Sequence, residues 1–220
     1  MLTTDTAAGL VGNTGLLHEH APRTAAEAAL ARRSVRAYQD IPVTDEEVRR
    51  LLELTGRAPS AHNLQPWRFI VVRDQSLKGQ LRDAAFNQKQ VAEAPVVIAM
   101  YADMDDTLAS LNEIVHPDLD ADKRDATISG LQQRLGAMPA EARAQWANGQ
   151  ANIALGYLLL IAESEGLATS PMLGFDPDKV KTLLGIPAQA TITALVAVGR
   201  AAEDGFVSHR HTVDRVASFR

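Results

Sequence analysis

The chemistry-bearing residues of this chain fall into three short blocks and one late arginine. Arg32, Arg33, Ser34 and Arg36 set three guanidinium groups and a hydroxyl within five residues. Guanidinium forks grip phosphate bidentately and keep their charge. The same cluster would also serve as a solvated basic helix end, favoured by the macrodipole. The second block is a polar loop between Pro59 and Pro66 that carries Ser60, His62, Asn63 and Gln65. Its amides offer donors and acceptors, which read a heteroaromatic edge better than a charge. The plainer reading is a helix-to-strand connection filled with ordinary polar residues. The third block, Pro171-Met172-Leu173-Gly174-Phe175-Asp176, reads as a backbone-led loop that could bring N–H groups close to a ligand. Arg210 follows in a polar tail.

Other chemistries find little support. With no cysteine, disulfides, thiolate metal sites and thiol nucleophiles are excluded. Ser60 and His62 lack a nucleophile-elbow context. His116 lies near carboxylates without metal-ligand spacing, and no metal is expected. The glycines from Gly9 to Gly15 follow no strand and open no matching helix, so they are no dinucleotide fingerprint.

The elements that must position these blocks are legible. Thr24 and Glu27 have capping-box spacing ahead of a helix over 25–32, and Thr44 and Glu47 repeat it ahead of a second helix ending at Gly56. Val48, Leu51 and Leu52 fit one face of that second helix. Strands are expected over 67–72 and 96–101, the latter apolar enough for burial on both faces. Asp74 caps a helix over 75–85. Residues 103–144 are charged and irregular, and could hold two helices and a cover over a site. Residues 150–165 form the most regular helix, apolar nearly all round, which suits a central core helix or a subunit interface. A short extended stretch spans 167–170. Asp176 and Pro177 open another helix, and 191–198 reads as a strand.

The chain of 220 residues, 46% apolar and 22% charged, suits one globular domain burying roughly 70–75% of its unfolded surface. Residues 1–22 are expected to be a flexible tail and 23–220 a single domain. A net charge of −5 without a long basic run argues against nucleic acid. The most apolar run, 153–162, is too short for the ~20 residues of a bilayer helix. Neither Lys nor Arg occurs in the first twenty residues, so no secretory signal is expected, and a cytoplasmic setting is compatible.

Arg32 to Arg36, Ala58 to Phe69, and Gln150 through Gly156 to Asp176 together resemble, in order and spacing, the nitroreductase family of flavin enzymes. The resemblance implies an α+β fold, with a central mixed or antiparallel sheet flanked by helices in an intertwined homodimer. It implies FMN at the dimer interface. Arg32 and Ser34, with Arg33 in the same block, would meet the phosphate and ribityl chain. Arg36 would be the cation at the pyrimidine end, stabilising the reduced ring. Asn63 and Gln65 would lie near ring and ribityl, and Pro59 and Ser60 would come from the second subunit. In the loop begun by Pro171 and Met172, the N–H groups of Leu173 and Gly174 would lie near flavin N5, and Arg210 would close on the phosphate. Many relatives carry a lysine where this chain has Ser208, and an acidic residue where it has Leu173. The expected activity passes reducing equivalents from NAD(P)H, in ping-pong fashion, to a small electron-poor acceptor such as a nitroaromatic or quinone. Dehalogenation, dehydrogenation or flavin breakdown on the same fold, or flavin storage without turnover, are the alternatives.

Overall fold

The computed structural model describes residues 21–220. The expected tail lies outside the described residues except for Ala21 and Pro22. The first two helices, α1 (Ala25–Ala31) and α2 (Asp45–Thr55), both open on complete capping boxes, Thr24 with Glu27 and Thr44 with Glu47. Each box satisfies two otherwise orphaned N–H groups reciprocally.

A four-stranded sheet follows, built from β1 (Trp67–Val72), β2 (Val96–Ala102), β3 (Ala168–Met172) and β4 (Thr191–Gly199), in spatial order β1-β2-β4-β3. All its ladders are antiparallel, and among the described residues the mixed character allowed by the sequence reduces to a single parallel bridge, Ser34 to Thr169. Strand alternation divides the core. Val96, Ile98 and Met100 join Ala194, Val196 and Val198 on one face, and Val97 and Ala99 join Leu195 and Ala197 on the other. β2 is therefore buried on both faces, as its continuous apolar run predicts, although its partners are antiparallel.

On the first face lies α8 (Ala140–Ser164), which turns Ala151, Ala154, Leu158 and Ala162 into the core. α2 packs beside it, and the Arg50–Glu165 ion pair at 2.8 Å ties the two together. The other face is covered by α3 (Gln75–Ala84), α4 (Gln90–Glu93) and α9 (Pro177–Leu184). Between β2 and α8 run α5 (Met104–Ala109), α6 (Leu111–Ile114) and α7 (Ala121–Gly136). A last short helix, α10 (Val213–Val216), lies in the exposed tail.

Two expectations change. α8 begins ten residues before the predicted start, because the polar turns around Gly149 carry no apolar period and yet remain helical. Pro171 and Met172 belong to β3 rather than to the loop. Pro171 lacks an N–H, but β3 lies at the end of the strand order, where that missing donor is tolerated. Gly199, at the end of β4, is needed for close approach: a Cβ there would stand 2.7 Å from the Pro95 ring and 2.8 Å from Tyr38.

Candidate active site

The arginine block follows α1 directly. Arg32 is the helix C-cap, and the chain then runs extended beside β3, with Val35 N–H donating to the Thr169 carbonyl at 3.0 Å. This fixes Ser34 against β3, one strand-length from Leu173 and Gly174. From the other side comes the tail. Gly205 takes a left-handed φ of 65°, and a Cβ there would meet Arg33 Cβ at 3.0 Å and the Ser34 carbonyl at 3.1 Å. That contact starts the tail toward Arg210.

Arg32 Nη1 is buried with no hydrogen-bond partner among the described residues. Burial first, then the like charge of Arg210, lowers its pKa from the ordinary value. Two guanidinium groups thus share one region, and one of them has an unsatisfied buried donor. An anion with several acceptor oxygens is the group such an arrangement fits. Arg33 faces another way. Its Nη1 donates to the Leu30 carbonyl at 2.6 Å and the Arg32 carbonyl at 2.9 Å, closing the end of α1. It also lines a cleft with Arg23, Glu163, Glu203 and Asp204, behind the extended strand. Arg36 is exposed, and its backbone N–H donates to Glu203 Oε1 at 2.9 Å. Beside it, the Tyr38 hydroxyl is pushed well above its ordinary pKa, mainly by burial, and donates to the Val35 carbonyl at 2.8 Å.

The loop after α2 is organised by Leu64, which is fully buried while its neighbours are not. His62, Asn63 and Gln65 all have left-handed φ values, 54°, 56° and 46°. Three such residues in four positions store strain of the kind that collects at ligand sites. The loop is held by Ser60 Oγ accepting the Gln65 N–H at 3.0 Å, and by Gln150 Oε1 of α8 accepting the Ala61 N–H at 2.7 Å. Gln65 Nε2 donates to Asn63 Oδ1 at 3.1 Å, so the two amides are mutually oriented. Pro59 is exposed. His62 Nε2 lies 2.6 Å from Arg134 of α7, and among the described residues no hydrogen bond joins His62 to Ser60. This contact joins the helical 103–144 stretch to the loop. No hydrogen bond or ion pair among the described residues joins the loop to the arginine cluster.

Past β3, Leu173 is 73% exposed and Gly174 is also exposed. The loop that carries them is pinned from behind, where Gln88 Nε2 donates to the Gly174 carbonyl at 2.8 Å and Asp176 N–H donates to the Ala84 carbonyl at 2.8 Å. Sequence reasoning passed over Gln88, Tyr38 and Glu203. Only Asn87, in a left-handed turn with Phe86, belongs to a residue type that favours such a turn. Among the described residues no cluster of three metal-ligating side chains occurs.

The chain resembles proteins of known fold over nearly its whole length. A protein from Exiguobacterium sibiricum, assigned as a nitroreductase and solved in complex with FMN, superposes with a TM-score of 0.82 at 28% identity, covering 91% of this chain and 99% of that one. An NADH dehydrogenase of Thermus thermophilus is 52% identical over 193 residues, which are 88% of this chain and 94% of that protein. YdgI of Bacillus subtilis, assigned as an NAD(P)H nitroreductase, is 30% identical across 86% of this chain and 94% of its own length. The nitroreductase family model matches residues 29–200, and the chain belongs to the nitroreductase family.

Proposed function

We propose that this protein is an FMN-dependent oxidoreductase that takes electrons from NAD(P)H and passes them to small electron-poor acceptors, nitroaromatics or quinones. Membership of the family and the names of its relatives support the NAD(P)H-dependent oxidoreductase class. The observation that carries the cofactor assignment is the buried, unpartnered Nη1 of Arg32 beside Arg210. A phosphate monoester near two negative charges would satisfy both guanidinium groups.

Bound FMN supplies the two-electron chemistry, and the protein supplies position and field. Arg32, Ser34 and Arg210 hold the phosphate end. Arg36 would supply a fixed cation that favours a reduced, anionic flavin. Asn63 and Gln65 would present oriented amides to the ring and ribityl, and the Leu173 and Gly174 N–H groups would be available to its reactive edge. Arg33 contributes by closing α1 and so fixing its neighbours. The exposed Leu173 gives an acceptor an apolar neighbour in place of an acidic one.

The protein works as a homodimer in this reading. Ile153, Tyr157 and Leu160 of α8 are at least 36% exposed and recur at i, i+4 and i+7, which makes one apolar stripe. That no hydrogen bond or ion pair among the described residues joins the Pro59–Gln65 loop to the arginine cluster within a protomer is compatible with Pro59 and Ser60 serving the partner's site. Residues 103–144 act as a cover, with His62 and Arg134 at its contact with the loop. Among the described residues no helix is long and apolar enough to cross a membrane.

Steady-state NADH and NADPH oxidation, with and without p-benzoquinone or a nitroaromatic, tests the proposal. Acceptor-dependent turnover by yellow protein is the expected result. Yellow protein that oxidises neither nucleotide would leave only a flavin-binding role.

A further inference from the structure

The turn after α3 has no part in the reaction as described so far. α3 ends at Ala84, and Phe86 and Asn87 then take left-handed φ values of 54° and 59°. Neither is glycine, and a non-glycine residue persists there only where its surroundings over-determine it. The turn is fixed by Asn87 N–H donating to the Arg82 carbonyl at 2.9 Å and Gln88 N–H to the Ala85 carbonyl at 3.2 Å. Its effect is to aim one side chain. Gln88 Nε2 reaches across 86 residues of sequence to the Gly174 carbonyl at 2.8 Å. Behind it, Gln90, 4% exposed, donates from Nε2 to Gln88 Oε1 at 3.3 Å, which sets the amide's orientation. Two residues on, the Asp176 N–H is held by the Ala84 carbonyl at 2.8 Å.

The loop over 173–176 is thus pinned at two points, one supplied by the last residue of α3 and one by the turn that follows it. Gly174 itself is sterically loose: a Cβ there would find nothing nearer than Gln88 Nε2 at 3.7 Å and Phe86 Cδ2 at 3.8 Å. With no side chain to lock Gly174, the direction of the Gly174–Phe175 peptide depends on what holds the Gly174 carbonyl.

We infer that Gln88, oriented by Gln90, is a positioning residue: it fixes the Gly174–Phe175 peptide, so that the Leu173 and Gly174 N–H groups are held between this anchor and the last pair of β3, Met172 with Leu195. The inference rests on the flavin reading above. An anchor on each side narrows the range of directions open to these amides before any ligand arrives, which is what preorganised donors require.

The test is Gln88→Met, which keeps length and apolar bulk but removes both amide functions. Hydrogen exchange of the 172–176 segment in the apoprotein should speed up while exchange in α3 and α9 stays unchanged. Per bound FMN, flavin reduction by NADH should slow about three- to tenfold, the scale of one neutral hydrogen bond, and the visible flavin spectrum should shift. A merely structural Gln88 would lower the fraction of holoprotein and leave its spectrum and per-FMN rate as in the wild type, and that result would overturn the inference. Should the variant not fold, Gln90→Met carries the test. It leaves the contact to Gly174 in place but frees the amide, so a smaller change in the same direction is expected, and wild-type exchange and spectrum would refute the role. Wild-type protein that takes up no FMN would bring down the functional reading, and this inference with it, before any variant is made.

Discussion

Replacing Arg32 with alanine separates the phosphate from the rest of the cofactor. Arg32 Nη1 is buried without a partner, and its charge is disfavoured by burial and by Arg210. In the free protein its loss relieves burial of a charge and repulsion from Arg210 while giving up attraction to Glu163, so little net change in stability is expected. With a phosphate present, the same group gains a charge-assisted contact worth about 1.5–3 kcal/mol. At about 1.36 kcal/mol per decade, FMN affinity should fall roughly ten- to 150-fold. Riboflavin lacks the phosphate, and its affinity should change by no more than about threefold, within the range of small indirect effects. Fluorescence titration of the apoprotein with each flavin gives both numbers, and thermal unfolding of the apoprotein should show a midpoint unchanged or slightly raised. The wild-type preference for FMN over riboflavin should also weaken with salt, since part of it is coulombic. Equal losses for the two flavins, or an apoprotein clearly less stable than wild type, would show that Arg32 braces the fold and does not read a phosphate.

Arg36→Gln keeps a donor but removes the charge. Because Arg36 is exposed within the protomer, its field is partly screened, and the midpoint potential of bound FMN should fall by about 30 mV, equivalent to roughly 1.4 kcal/mol for two electrons. Spectroelectrochemistry measures this, and an unshifted potential removes Arg36 from the mechanism. Leu160→Glu, on the exposed stripe of α8, should give monomers in size-exclusion chromatography. Ala154 is the wrong probe for that interface, since it is fully buried inside the protomer and a larger side chain there would overpack the core. Stability should fall on acidification below about pH 4.5: the Asp176 carboxyl is held below its ordinary pKa chiefly by the Lys179 backbone N–H, and Glu27 is lowered chiefly by the Thr24 backbone N–H. The unfolded chain then binds protons that the native caps refuse, so the stability these caps provide is lost as pH drops through their depressed values. Unfolding midpoints between pH 3 and 7 check the sign.

What was local in the fold was readable. Capping boxes, the N-cap pair Asp176-Pro177 and the apolar run of β2 are written within a few residues of where they act, and the structure follows them. The start of α8 was not, because its first turns carry no clear apolar period although Ala147 reaches the core. The strand identity of Pro171 was hidden for a different reason: its place at the end of the strand order makes a missing N–H harmless. At the site, the arginine block and the strained loop stood out by residue type. Gln88 did not, since nothing in a lone glutamine tells that its partner is a carbonyl 86 residues away. Arg33 read like its neighbours, and only the carbonyls of Leu30 and Arg32 show that it closes a helix.

The strand order also sets a timetable. β2 can pair with β1 as soon as both have been synthesised, but its other neighbour is β4, with Val96 opposite Val198 about 100 residues later. Until β4 leaves the ribosome, β2 has an open edge and α8 has only part of the sheet to cover. A nascent chain stopped anywhere between α8 and β4 therefore displays an apolar helix and an unpaired strand together, the combination most prone to misassociation. β4 then closes the centre of the sheet in one step. Stalled-ribosome experiments should find protease resistance appearing abruptly once residues beyond Gly199 have cleared the exit tunnel, with no stable half-sheet before it.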